Sequence, residues 1–120
     1  MDKKELGRIG EEFAANFLQK KGIQIIKRNY FTKFGEIDLI GIENKTIIFV
    51  EVKLRQSNVF GFPYESITNK KLEKIYQLAE SFLLENDFSD FDCRFDVISL
   101  IYYHADETFK VEWLKNQYFS

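Results

Sequence analysis

The chain has 120 residues with 45% hydrophobic and 30% charged side chains, and its thirteen Phe and six Tyr supply bulk for a core. That composition fits one globular domain over residues 1–120 and excludes a disordered chain, and no apolar run reaches the roughly 18 residues of a membrane span. A single cysteine, Cys93, and a single histidine, His104, exclude an internal disulfide and a Cys- or His-rich zinc centre, so a bound metal would be held by oxygen.

The opening residues Met1-Asp2-Lys3-Lys4-Glu5 are charged and lack an apolar signal core, so the cytoplasm is the expected compartment. Leu6, Ile9, Phe13, Phe17 and Leu18 recur at helical spacing, which predicts an amphipathic helix over 4–21 closed by Gly22. A short apolar strand is expected at 23–26. The runs 35–42 and 45–54 read as a β-hairpin around Glu43-Asn44. A second amphipathic helix is predicted over 69–85, with Leu72, Ile75, Ala79, Phe82 and Leu83 on one stripe. Residues 94–103 read as a buried strand and 109–114 as a last one. The order α-β-β-β-α-β-β makes an α/β fold, a mixed central β-sheet flanked by α-helices.

Two polar clusters interrupt the hairpin's apolar strands, Glu36 with Asp38 and Glu51 with Lys53. Residues two apart on a strand share a face. A two-residue turn at Asn44-Lys45 would set Asp38 opposite Glu51 and Glu36 opposite Lys53. Side chains so opposed have Cβ atoms about 4.5–5.5 Å apart, and two carboxylates that close repel unless a proton or cation lies between them. Glu36 with Lys53 is equally well read as a surface charge pair. The like-charged pair points instead to a hard divalent cation with a lysine beside it.

Asp38 followed by Glu51-Val52-Lys53 resembles the (P)D…(D/E)-x-K signature of the restriction-endonuclease-like nucleases, with Ile37 in place of the proline. Gly7-Arg8-Ile9-Gly10-Glu11-Glu12-Phe13-Ala14, Gly35-Glu36-Ile37-Asp38-Leu39-Ile40, Phe49-Val50-Glu51-Val52-Lys53-Leu54-Arg55, Lys71, Lys74 and Arg94-Phe95-Asp96-Val97 together resemble the uncharacterised YraN-like bacterial family. That family is related to the Holliday-junction resolvases. The resemblance spans essentially the whole chain. It implies a restriction-endonuclease-like fold and an Mg²⁺- or Mn²⁺-dependent endonuclease acting on nucleic acid, with DNA and branched structures as the expected substrates. It implies Asp38, Glu51 and Glu11 as metal carboxylates, with Glu12 the alternative on the helix, and Lys53 as the active-site lysine. A homodimer follows by analogy with the resolvases.

Candidate nucleic-acid contacts are Lys33, Arg55, Lys70, Lys71 and Lys74, with Lys27 and Arg28. Residues 1–35 carry eight Lys/Arg against four Asp/Glu, and residues 81–120 three against eight, so a basic face is compatible with the net charge of −2. Phe60, Phe62 and Tyr64, around Gly61 and Pro63, would either stack on bases or pack among themselves. Asp96 reads either as a partner that supports the site residues or, the favoured reading, as a structural hydrogen-bond acceptor within its strand. Two readings stay open beside the nuclease: a non-catalytic nucleic-acid-binding module, and a protein-interaction domain using the aromatic loop.

Overall fold

The computed structural model describes residues 2–57 and 69–117. Its elements are α1 (Lys3–Lys20), β1 (Gln24–Thr32), β2 (Gly35–Glu43), β3 (Thr46–Gln56), α2 (Asn69–Glu85), β4 (Asp92–Tyr103) and β5 (Thr108–Leu114). The strands form one sheet in the order β1-β2-β3-β4-β5. Three of the pairings are antiparallel, and β3 with β4 is parallel, with α2 in the connection between them. This is the mixed sheet flanked by helices that the sequence implies.

Asp2 caps α1, its carboxylate accepting the Glu5 N–H at 2.8 Å. The helix ends at Lys20, and Gly22 then takes a φ of +94°, a left-handed turn that glycine adopts without steric cost. Ile23 follows and seats against Gly41, where a Cβ would lie 2.4 Å from the Ile23 side chain. Only a glycine on β2 lets this corner close.

Each helix covers one face of the sheet. Ala14, Ala15 and Leu18 of α1 pack on Leu39, Ile48, Val50, Ile98 and Leu100. Ile75, Leu78, Ala79 and Phe82 of α2 pack on Ile37, Ile40, Ile47, Phe49, Phe95 and Val97. The alternation along β3 sends odd and even residues to opposite cores, as the period of two demands. Of the stripe expected on α2, Leu72 and Leu83 are only half-buried, while Leu78 joins the core.

One expectation needs correction. The strand expected at 23–26 runs from Gln24 to Thr32 and forms its own hairpin with β2. It is an edge strand with most side chains exposed, so its second half lacks the apolar alternation that marks a strand in sequence.

Candidate active site

The β2–β3 hairpin turns at Asn44-Lys45 and pairs Glu43 with Thr46, the expected register, which continues as far as Leu39 opposite Val50. There the ladder stops. Asp38 and Glu51 are therefore not a ladder pair, and neither are Glu36 and Lys53. The physical reason lies in Asp38 itself, whose carboxylate accepts the Val52 N–H at 2.7 Å in place of a backbone carbonyl. The neighbouring strand is distorted at the same level. Asn29 has a φ of +53°, although the β1–β2 register is the same on either side of it, Arg28 opposite Leu39 and Tyr30 opposite Ile37, and shifts only between Ile25 and Lys27.

Asn29 is the residue that the sequence did not mark. With its amide oriented to satisfy its neighbours, its NH₂ donates to Glu11 and to Glu36, each at 3.1 Å. It thereby links a carboxylate on α1 to one on β2. Gly10 supports this approach, because its Cα side faces Leu54 and Leu100 at a distance that admits at most a methyl group. Glu12, the alternative acid on α1, pairs instead with Arg28 on β1 and stays exposed.

The result is a group of four carboxylates around the end of the hairpin. The pKa of Asp38 is raised to about 6, chiefly by burial and then by the charges of Glu11, Glu51 and Glu36, with the Val52 N–H partly offsetting them. Glu11 is raised as well, by burial and then by Glu36. Lys53 answers part of this charge, its Nζ lying 2.8 Å from Glu51 Oε1, with Lys71 Nζ at 3.9 Å from the same oxygen. The other oxygen, Glu51 Oε2, is buried without a hydrogen-bond partner. The surface pairing expected between Glu36 and Lys53 is thus replaced by Glu36 with Asn29 and Lys53 with Glu51.

Other candidates lie around or away from this group. Lys74 lines a cavity beside Glu51 together with Lys71. Lys33 sits in the β1–β2 turn with its Nζ over the Phe34 ring, 5.3 Å from the centroid. Arg55 is removed from the cluster and borders a cleft with Lys3 and Leu6 at the start of α1. Lys27 and Lys70 are exposed. Phe60, Gly61, Phe62, Pro63 and Tyr64 lie outside the described residues. Asp96 is fully buried and accepts from Trp113 Nε1 at 2.8 Å, the Asn116 N–H at 2.9 Å and Arg94 Nε at 3.2 Å. It pins the end of β5 to β4.

The donor set suits a hard dication. Carboxylate oxygens crowd one another, and one buried oxygen lacks a partner, while among the described residues no three His, Cys, Asp or Glu side chains converge tightly enough to hold an ion unaided. Mg²⁺ is commonly bound by one or two carboxylates, with water and substrate oxygens completing its shell.

Fold and cluster define an α/β protein with a carboxylate–lysine site where two strands of a mixed sheet part. The chain belongs to the uncharacterised protein family UPF0102, whose model matches residues 10–100. It is 40% identical over 116 residues to a UPF0102 protein of Fusobacterium nucleatum, covering 97% of this chain and 92% of the relative. A relative from Dichelobacter nodosus is 39% identical over 119 residues, covering 99% and 93% of the two chains. One from Caldicellulosiruptor saccharolyticus is 41% identical over 118 residues, covering 98% and 100%. Among the described residues no helix is long and apolar enough to cross a membrane.

Proposed function

We propose that the protein is a metal-dependent endonuclease that hydrolyses phosphodiester bonds in nucleic acid, with DNA, including branched DNA, as its substrate. The observation that carries this reading is the half-buried Asp38 carboxylate crowded by Glu11, Glu51 and Glu36, with Lys53 in an ion pair with Glu51 alongside. Such crowding is costly in an apoprotein and is relieved by a bound cation.

Asp38, Glu51 and Glu11 would hold Mg²⁺ or Mn²⁺. The bound dication supplies Lewis-acid polarisation of a phosphoryl oxygen and a water of lowered pKa. The chain's own residues do the rest. The Val52 N–H fixes the Asp38 oxygen it bonds, leaving the other oxygen for the site. Asn29 sets Glu11 against the sheet. Lys53 neutralises charge as it accumulates on phosphorus and orients the attacking water. Water gives up a proton to solvent as its oxygen bonds to phosphorus, the bond to the 3′ oxygen breaks, and that oxygen takes up a proton, leaving 3′-hydroxyl and 5′-phosphate ends. Lys71 and Lys74 are placed to receive backbone phosphates.

The test is cleavage of single-stranded, duplex, flapped and four-way-junction DNA and of RNA, with Mg²⁺, Mn²⁺ or chelator. Metal-dependent cutting that is lost in Asp38→Asn and in Lys53→Ala is expected. Cutting that either variant retains in full would remove that residue from the mechanism.

The second reading is a binding module without catalysis. It is favoured by Glu51 Oε1, which already lies in an ion pair with Lys53. Binding in chelator without cutting under any metal would establish it.

A further inference from the structure

Beside Glu51, on the α2 face of the sheet, lies a cavity of about 270 Å³. Its walls are Phe34, Ile37, Leu78 and Phe95, all apolar and two of them aromatic. Its rim carries two features of opposite sign. Glu36 and Glu51 supply carboxylates, and Lys71 and Lys74 supply ammonium groups. Lys71 and Lys74 are three residues apart on α2 and so project from the same helix face.

The combination has a chemical meaning. The volume falls just under the range of about 300–1,000 Å³ for sites of drug-sized ligands, which suits one planar ring system. Apolar and aromatic walls accept the faces of such a ring, and carboxylate oxygens at the edge accept from its amino groups. Paired ammonium groups at the mouth match a phosphate attached to the ring through a sugar.

We propose that this cavity receives a single unpaired nucleobase of the nucleic-acid strand whose phosphate lies at the carboxylate cluster. The proposal rests on the nuclease reading and deepens it. A duplex keeps its bases stacked and cannot fill the cavity without extruding one, whereas single strands, flaps and junctions offer an unpaired base at little cost. Selection for such structures then comes from a pocket, with no reading of base sequence.

The experiment measures binding and needs no catalysis. Oligonucleotides carrying one 2-aminopurine, or one abasic site at the same position, are titrated into the unaltered protein in chelator and with Ca²⁺ in place of Mg²⁺. Saturable quenching of 2-aminopurine is expected, with the abasic strand bound about tenfold more weakly, the order of one stacked base. Phe34→Ala should weaken the base-containing strand by a similar factor and leave the abasic strand unchanged. Phe31→Ala, which removes an exposed ring outside the cavity, should alter neither. Equal affinity for intact and abasic strands overturns the pocket while leaving the nuclease reading in place. A Phe34→Ala loss that is the same for both strands also overturns it. Failure to bind any strand, with or without Ca²⁺, overturns both.

Discussion

Replacing Asp38 by Asn should stabilise the metal-free protein and abolish the cleavage proposed above. The carboxyl has an ordinary value of 3.8 and is raised to about 6 in the fold, chiefly by burial and then by three neighbouring carboxylates. The sign follows from which state holds the proton more tightly. Below about pH 3.8 Asp38 is neutral in both states and costs nothing. As pH rises towards 6, the unfolded chain ionises first and is favoured, so stability falls. Above about pH 6 the full cost is present, about 3 kcal/mol for a displacement of this size. Asn keeps the shape and still accepts the Val52 N–H, but carries no charge. Urea unfolding in chelator from pH 4.5 to 7.5 should show the variant's advantage growing from about 1 to about 3 kcal/mol, the latter about 10 °C in Tm for a chain of this length. Adding Mg²⁺ should narrow the gap by stabilising only the parent. A difference that is flat with pH, or a variant less stable than the parent at pH 7.5, would refute the account of Asp38 as a charge held at a cost.

Asp96→Ala should destabilise by about 3 kcal/mol in urea unfolding, because Trp113 Nε1, Arg94 Nε and the Asn116 N–H lose a shared buried acceptor. Asn29→Gly tolerates the φ of +53° and removes only the amide, so it should reduce cleavage with little change in Tm. Asn29→Ala should cost a further ~1–2 kcal/mol from the left-handed backbone, measured by thermal melts of the two variants side by side. Lys71→Ala and Lys74→Ala should each lower the slope of log affinity against log salt by about one, and unchanged slopes would remove them from the phosphate path.

What the sequence made legible follows from where the signal is strong. Both helices end within a residue of their expected limits because each carries an apolar stripe. The hairpin register was readable from a two-residue turn, since every pair follows once Glu43 meets Thr46. The end of that ladder was not readable. It depends on a side chain taking over a backbone bond, Asp38 to Val52, which no periodicity records. Asn29 was equally hidden, since a left-handed Asn within an edge strand looks like any polar strand residue. Arg55, a candidate nucleic-acid contact in the sequence, borders a cleft with Lys3 and Leu6.

The parallel pairing of β3 with β4 bears on how the chain folds. β1, β2 and β3 meet through short turns, whereas Thr46 reaches Asp92 only after α2 has been threaded between them. Closing that long loop costs more chain entropy than either hairpin, so the meander should assemble first and β4 dock later. The carboxylates of β2 and β3 would then be drawn together before Phe95 and α2 arrive to shelter them. Ile40→Val should show a high φ-value and Val97→Ala a low one, and the reverse order would argue against this sequence of events. A dication that quiets the early repulsion should accordingly speed folding, beyond merely slowing the loss of the native state.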